Sequence, residues 1–311
     1  MGTYIIRRVL QSVLVLLGVT FLVYFILFQT GDPTFLSVST DASQEEVERV
    51  RRQLGFDRPW YVQYADFLTK AVQGNFGTSL RQGQPVTTIV LDRLPATLEL
   101  AVAALAISLL VAFPAGIISA TRRNSLWDQA AMLGAVLGQA APTFFVGIML
   151  LFVFGGLLNW FPIGGRGQSG AVDELRHLVL PALTLGTFSM ARNARLIRSS
   201  LLETLGQEYV TVAWSKGLGE PAVVLGHALR NALIPVVTVI GLEFGALLGG
   251  AIITETVFAW PGVGSLVVRA IGQKDFPVVV GCVTMLAVVF VTVNLVIDLL
   301  YGYLDPRVRR A

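Results

Sequence analysis

The sequence predicts an all-α polytopic membrane protein with six transmembrane helices, both termini in the cytoplasm and an external helical cap between spans one and two. Three observations support this fold class. Of the 311 residues, 54% are hydrophobic and 14% are charged, whereas about a quarter of a soluble domain is charged. The chain also contains long uncharged stretches, and its basic residues are divided unequally between the two sides of the predicted membrane.

Six apolar stretches are predicted to cross the membrane. A hydrocarbon core about 30 Å thick requires roughly 20 residues of helix. Except for Glu243 in the fifth stretch, none of them contains Lys, Arg, Asp or Glu. The third is longer than one span requires, whereas the fourth is short and continues into an arginine-rich segment. In chain order, the predicted spans are residues 9–30, 100–120, 130–165, 178–191, 232–254 and 276–297.

Six spans place both termini on the same side, and the basic residues indicate which side this is. The segments on the side of the termini carry 12 of the 23 Lys and Arg residues and five acidic residues. The opposite segments carry 11 basic and 13 acidic residues. Because basic residues accumulate on the cytoplasmic side, both termini are predicted to be cytoplasmic. This orientation also explains the formal charge of +3, so no nucleic-acid partner is expected.

The chain divides into three predicted parts. The N-terminal segment and first span cover residues 1–30, an extracytoplasmic cap covers 31–97, and the core with the other five spans covers 98–311. In the cap, Ser-Gln-Glu-Glu at 43–46 is a capping box that predicts the start of a helix. The aromatic-rich segment 60–68 predicts a second amphipathic helix. The cap either packs on the spans or docks an external partner, and the sequence favours neither.

A cytoplasmic loop at residues 203–235 separates predicted spans four and five. Residues 207–218 predict a short helix that two glycines end. Residues 223–233 predict a second helix, which continues into span five past Pro235. The apolar positions of the first helix are Val210, Val212, Ala213 and Trp214. The loop is therefore predicted to be a small, rigid helix–turn–helix.

The sequence lacks the residues that a phosphate-binding loop or a metal site requires. A phosphate-binding loop ends in Lys followed by Ser or Thr, but Lys70, Lys216 and Lys274 precede Ala, Gly and Asp. The two histidines, His177 and His227, are fifty residues apart and have no neighbouring cysteine. We therefore expect no catalytic residue, cofactor or metal in this chain, and energy for any active process must come from another polypeptide.

One short motif suggests an enzyme. Residues 167–170, Gly-Gln-Ser-Gly, resemble the signature of rhomboid intramembrane proteases. A nucleophilic Ser169 needs a base within hydrogen-bond reach, and His177 is the only nearby candidate. Both residues lie in or beside a Gly-rich outer loop, so a flexible linker is the preferred interpretation.

The cytoplasmic loop resembles the coupling loop of ABC-importer permeases. That pattern runs Glu-Ala-Ala, three residues, Gly and then an Ile-Pro or Leu-Pro end, and here Gly217 and Ile234-Pro235 occupy the matching places. Thr211-Val212-Ala213 replaces Glu-Ala-Ala. The form of the loop in this chain is similar to that of a narrower family, the dipeptide, oligopeptide and nickel permeases, and specifically to that of its B-type subunit. Further segments share this resemblance: Gly31-Asp32-Pro33, residues 54–59, residues 74–77, residues 94–98, residues 260–264 and residues 304–307.

The resemblance implies a transport subunit of an ATP-driven importer in a bacterial or archaeal cytoplasmic (inner) membrane, not an enzyme. Its implied partners are a second homologous permease, two ABC ATPase subunits that bind ATP and Mg, an extracytoplasmic substrate-binding protein and membrane lipid. Di- or oligopeptides are the expected substrates, and glutathione, nickel complexes and sugars remain open. A self-contained channel or ion-driven carrier is the alternative from another class.

Two groups of residues follow as candidates for function. The resemblance implies that the loop contacts an ATPase subunit, with apolar residues supplying the buried contact and basic residues its rim. The coupling candidates are Glu208, Tyr209, Thr211, Val212, Ala213, Trp214, Lys216, Gly217, Leu218, His227, Arg230, Asn231 and Pro235. Polar residues within or near spans are expensive unless they face a cavity or a partner, which makes them candidates for the substrate pathway. These are Gln139, Glu243, Asn294 and Asp298.

Overall fold

The computed structural model describes residues 2–29, 43–54 and 57–304. Within these ranges the chain is helical, and its only extended pairing is an isolated bridge between Thr78 and Pro85. The helices are α1 (Gly2–Gln29), α2 (Gln44–Leu54), α3 (Trp60–Ala71), α4 (Val86–Thr121), α5 (Leu126–Ala140), α6 (Thr143–Leu150), α7 (Ala171–Leu205), α8 (Glu208–Ser215), α9 (Leu229–Val257), α10 (Val263–Gly272) and α11 (Phe276–Leu304). There are also two π-helical segments: Leu151–Leu157 directly follows α6, and Ala222–Ala228 directly precedes α9. The all-α class predicted from the sequence is confirmed.

Four described helices are long and apolar enough to cross a membrane. The apolar stretches lie in α1, α4, α9 and α11, at Ile5–Leu27, Val86–Thr121, Val239–Val257 and Phe276–Leu299. The second is longer than the stretch predicted at 100–120, because α4 begins at Val86. A fifth span is present if the bent pair formed by α5 and the helix after it crosses the membrane as one unit.

The third predicted span is not one straight helix. The two helices meet at an angle of 108° across a short break. Pro142 lacks the N–H group that would continue α5, and Ala141 before it adopts an extended backbone with ψ of 129°. Proline at this position therefore ends α5 and begins α6 in a new direction. The long uncharged stretch predicted at 130–165 is consequently divided into two shorter helices.

Contacts divide the described residues into two compact units. The first contains residues up to Thr97 together with those from Pro261 onward, and the second contains Leu98–Trp260. Helix α4 runs through the boundary between the two. The division at 97 predicted from the sequence remains a prediction.

In the first unit, α1 packs against α11, and α3 packs against α1. Arg8 of α1 forms a 3.0 Å salt bridge with Asp298 of α11. The Tyr64 hydroxyl of α3 lies 3.0 Å from the hydroxyl of Thr20 in α1. The predicted start of α2 is confirmed, since the Glu46 N–H donates to Ser43 Oγ at 3.3 Å as in the first half of a capping box. The two predicted cap helices are thus present as α2 and α3.

A buried carboxylate joins the turn before α4 to the turn before α11. Asp275 is 1% exposed and accepts a 2.5 Å hydrogen bond from Ser79 Oγ. The backbone N–H groups of Leu80 and Arg81 donate to the same carboxylate at 3.2 and 3.3 Å. Beneath this contact the core of the first unit is formed by Phe76, Val86, Ile89, Val90, Val263, Leu266, Val267, Ala270, Val278, Val279 and Cys282.

In the second unit, α7 packs against α5, α6 and α9. Helix α7 contains Pro181 and extends 14 residues beyond the predicted fourth span. A glycine lets α4 approach α7 closely, since a Cβ on Gly116 would lie 2.8 Å from Ile197 Cβ. The start of α5 is fixed to α7 by Asp128, which accepts two 2.8 Å hydrogen bonds from the Arg198 guanidinium. These contacts hold the end of α7 from which the long loop to α9 begins.

Candidate functional site

Helix α8 forms the first half of the predicted coupling loop. It spans Glu208–Ser215, shorter than the predicted range 207–218, because Gln207 occupies the N-cap position. The Lys216 N–H bonds to the Val212 carbonyl at 3.1 Å, and the Gly217 N–H bonds to the Trp214 carbonyl at 2.9 Å. Gly217 has a φ of 78°, the left-handed conformation that ends helices and that glycine adopts without penalty. The chain then turns back toward the π-helical segment.

One side of α8 is buried in the second unit. Val210 and Ala213 are 0% and 6% exposed, and they pack against Val223 and Val224 of the π-helical segment and Leu201 of α7. Burying a side chain the size of valine contributes roughly 1.5–3 kcal/mol in a soluble protein. This packing joins α8 to the π-helical segment and to the end of α7.

Three large apolar side chains of α8 are exposed on the flanks of this buried side. Val212 and Trp214 are 52% and 45% exposed, and Tyr209 is also exposed. Leu218 after the helix and Leu225 in the π-helical segment are also exposed. We call these five residues the apolar face of the loop. The four apolar positions predicted in α8 therefore separate into two buried inside the chain and two exposed.

Polar residues surround this face and fix its geometry. The Asn231 side-chain amide in α9 donates to the Tyr209 hydroxyl at 2.8 Å, which joins α8 directly to α9. Pro235 lies inside α9, six residues after the first residue of that helix. The remaining coupling candidates are all exposed: Glu208, Thr211, Lys216, His227 and Arg230. Exposed apolar side chains interspersed with polar and basic residues have the character of a protein–protein contact surface.

Among the pathway candidates, Glu243 has partners within its own chain. It is 4% exposed, and one carboxylate oxygen accepts from the Asn193 side-chain amide at 2.6 Å. The other oxygen lies 3.7 Å from Nε of Arg192, whose side chain is half exposed. Neither partner was predicted from the sequence, because Asn193 and Arg192 are about fifty residues away from Glu243 in the chain. The available signal was that both polar residues directly follow the apolar stretch 178–191.

The other three pathway candidates are dispersed. The Arg195 guanidinium donates to the Gln139 side chain in the second unit. In the first unit, Asp298 forms the salt bridge with Arg8, and Asn294 is half-buried in α11. Gln139 and Asp298 thus have partners on neighbouring helices of their own units.

The serine motif at 167–170 is held in a helix-capping arrangement. The backbone N–H groups of Gln168 and Ser169 donate to the Asp173 carboxylate at 3.0 and 3.2 Å. The bond from Ser169, followed by the one from Gln168, lowers the pKa of Asp173. His177 Nδ1 lies 2.8 Å from the Asp173 carbonyl oxygen. Within residues 57–304 no hydrogen bond joins the Ser169 hydroxyl to His177, and the arrangement matches that of a capped loop.

Comparisons with known proteins place the chain in a family. The model described as "Binding-protein-dependent transport system inner membrane component" matches residues 112–310. The model for the N-terminal part of such membrane components matches residues 1–101. A chain of the MetNI methionine ABC transporter, solved in inward-facing conformations, matches with a TM-score of 0.58 at 14% identity. The match covers 70% of this chain and 96% of that one.

Full-length relatives are also similar in sequence. The oligopeptide transport system permease protein AppB of Bacillus subtilis is 40% identical over 99% of both chains. The dipeptide transport system permease protein DppB of Alkalihalophilus pseudofirmus is 37% identical over 99% of this chain and 100% of its own. The glutathione transport system permease protein GsiC of Escherichia coli is 39% identical over 99% of both chains. The chain therefore belongs to the family of inner membrane components of binding-protein-dependent transport systems, as an ABC importer permease of the peptide-transporter type.

Proposed function

We propose that this chain is one of two permease subunits of an ATP-driven peptide importer in a prokaryotic cytoplasmic membrane. It moves di- or oligopeptides by alternating between outward-open and inward-open states, without covalent chemistry of its own. A second homologous permease completes the pathway, two ATPase subunits bind ATP and Mg, and an extracytoplasmic binding protein delivers the peptide. The dipeptide and oligopeptide permeases that cover its whole length support this assignment.

The proposed topology has six spans with cytoplasmic termini. Helices α1, α4, α9 and α11 supply four spans, the α5–α6 pair supplies a broken one, and α7 supplies the remaining one. This arrangement places α8 and its apolar face in the cytoplasm, where an ATPase subunit is accessible. The external helices α2 and α3 then lie on the side of the binding protein.

The apolar face of the loop carries the proposal for coupling. Exposed tryptophan and valine on a helix that is buried along one side suit insertion into a cleft of an ATPase subunit. Because Val210 and Ala213 fix α8 to the unit that contains α7 and α9, a displacement of α8 moves those helices too. ATP binding in one polypeptide can thereby drive motion in another. Interface centres of this kind commonly contain a few residues on which most of the affinity depends.

Two single substitutions, made in separate variants, test the coupling proposal. Val212→Asp and Trp214→Asp each place a charge among these exposed apolar residues, and we expect ATPase stimulation by peptide-loaded binding protein to fall at least about tenfold. The measurement uses the complete importer in proteoliposomes and follows ATP hydrolysis and labelled dipeptide uptake together. Val72→Asp is the matched control, since Val72 is 89% exposed at the end of α3, outside the loop.

The outcomes separate the coupling role from the alternatives. Full stimulation in both loop variants would show that α8 is not the contact with the ATPase. Peptide uptake by this chain reconstituted alone would instead support a self-contained carrier.

Glutathione is the second candidate substrate, because the permease GsiC is 39% identical to this chain. Parallel uptake assays with labelled dipeptide, oligopeptide and glutathione decide between them. The same cognate binding protein is used in all three assays, so a difference in uptake reports the substrate class of the assembled importer.

A further inference from the structure

The first unit contains a small cavity between the start of α4 and helix α10. Its volume is about 100 Å³. Ile89 of α4 and Leu266 of α10 form part of its wall, and its charged lining residues are Arg93, Arg269 and Asp275. A volume of this size accommodates a single oxyanion group such as a phosphate or carboxylate.

The charges around the cavity are not balanced. Asp275 already accepts three hydrogen bonds from residues 79–81 and is almost fully buried. Arg269 donates through Nε only to the Ser265 carbonyl of its own helix, at 3.3 Å. Arg93 makes no hydrogen bond or ion pair with any residue that the structure describes. Two guanidinium groups therefore border one cavity without a carboxylate of their own, which favours binding of an anion.

The position of the cavity along the helices matches the headgroup region of a membrane. Its lining includes Val278, two residues into the apolar helix α11 that begins at Phe276. In α4 the uncharged stretch from Leu100 to Thr121 is about 33 Å long at 1.5 Å per residue, close to the thickness of a hydrocarbon core. Arg93 lies seven residues before that stretch, or about 10 Å along the helix. An arginine side chain at this level reaches the phosphate groups of the lipid.

Exposed apolar side chains lie on the same two helices as the arginines. Val268 and Ile271 of α10, on either side of Arg269 in the sequence, are 41% and 55% exposed. Leu91 of α4, two residues before Arg93, is also exposed. A phospholipid matches this combination, because its phosphate pairs with cations while its acyl chains contact apolar surface.

We propose that Arg93 and Arg269 bind the phosphate group of an anionic phospholipid, with its acyl chains along Val268 and Ile271. The bound lipid supplies a negative charge for the two guanidinium groups, which the single carboxylate of Asp275 does not balance, and packs α10 against the membrane. This site is separate from the apolar face of the loop, and it does not depend on which substrate the importer carries.

Native mass spectrometry of the purified importer complex tests the site. The complex is transferred from nanodiscs of phosphatidylcholine that contain a minority of phosphatidylglycerol, and retained lipid is counted as collision energy rises. We expect one tightly held phosphatidylglycerol per copy of this chain. An arginine near the membrane surface contributes about fivefold to the affinity for anionic lipid, so Arg93→Gln or Arg269→Gln should weaken retention about fivefold and the double variant about 25-fold.

Three control measurements distinguish binding of the lipid by the two arginines from other causes of retention or loss. Arg49→Gln removes an exposed charge from α2, away from the cavity, and should retain the lipid like the unaltered complex. The double lysine variant keeps both charges and should retain far more phosphatidylglycerol than the double glutamine variant, which excludes misfolding as the cause of its loss. Equal retention in the double glutamine variant overturns the proposal. Full displacement of the lipid by millimolar inorganic phosphate also overturns it, because it identifies a site for a free anion.

Discussion

At the scale of single residues, Gly217 shows how one backbone angle sets the direction of the coupling loop. Its φ is 78°, and a Cβ added there would meet no atom within 4 Å. Any cost of substitution therefore comes from backbone conformation alone, about 1–2 kcal/mol for an ordinary residue and less for Asn or Asp.

We predict that Gly217→Val reduces ATPase stimulation by loaded binding protein, because a β-branched residue disfavours the left-handed conformation and reorients residues after α8. Gly217→Asn should retain most of the stimulation, since asparagine tolerates that conformation. The assay is ATP hydrolysis by the reconstituted importer at saturating binding protein. Equal activities of the valine and asparagine variants would refute the role of the backbone angle.

Gly116 in α4 is restricted by its neighbours and not by its backbone angles, because other atoms fill the space that a side chain would occupy. A Cβ there would lie 2.8 Å from two atoms of Ile197 and 2.9 Å from the Ala194 carbonyl oxygen. We predict that Gly116→Ala destabilises the protein by about 1–3 kcal/mol through forced separation of α4 and α7. Thermal unfolding in detergent measures the effect. Gly134→Ala in α5, where nothing lies within 4 Å, is the control and should unfold at or above the original temperature.

At the scale of elements, a buried ion pair fixes α5 to α7. Asp128 is 4% exposed and also accepts from the Ser119 hydroxyl of α4 and the Asn124 backbone N–H. Since the Arg198 guanidinium binds both carboxylate oxygens, three helices and a turn meet at one side chain. The arrangement stabilises the end of α7 that leads into α8.

We predict that Asp128→Asn destabilises the protein by about 3–5 kcal/mol, because it leaves the Arg198 charge without its partner in a partly buried site. Asp66→Asn is the matched control: it removes the exposed ion pair with Arg58 and should cost no more than about 1 kcal/mol. Unfolding in mixed detergent micelles measures both. Similar losses for the two variants would contradict a special role of the buried pair.

The helices themselves were largely predictable, and the reasons for the exceptions are physical. Uncharged length and a capping box predicted α1, α2 and α11, because both signals are local in sequence. The bend between α5 and α6 has its signal in Pro142, but an uncharged stretch does not reveal where a helix changes direction. The burial of Val210 depends on contacts with Leu201 of α7 and with the π-helical segment at 222–228, and the pattern of α8 alone contains neither. The Asn193 contact to Glu243 was invisible for the same reason.

At the scale of the whole molecule, the unequal distribution of basic residues predicts the orientation of every segment. If both termini are cytoplasmic, α8 lies in the cytoplasm and α3 lies outside. The protein offers a simple way to examine this, because its single cysteine, Cys282, is buried. Cysteines introduced at exposed positions can then be labelled against a silent background.

We predict that Val72→Cys reacts with a membrane-impermeant maleimide in intact spheroplasts, whereas Ser215→Cys reacts only after the membrane is permeabilised. Both positions are exposed, so a difference in labelling reports the side of the membrane and not burial. The unaltered chain should remain unlabelled under both conditions. Labelling of Ser215→Cys in intact spheroplasts would place α8 outside, where it has no access to an ATPase, and would remove the basis for coupling through the apolar face of the loop.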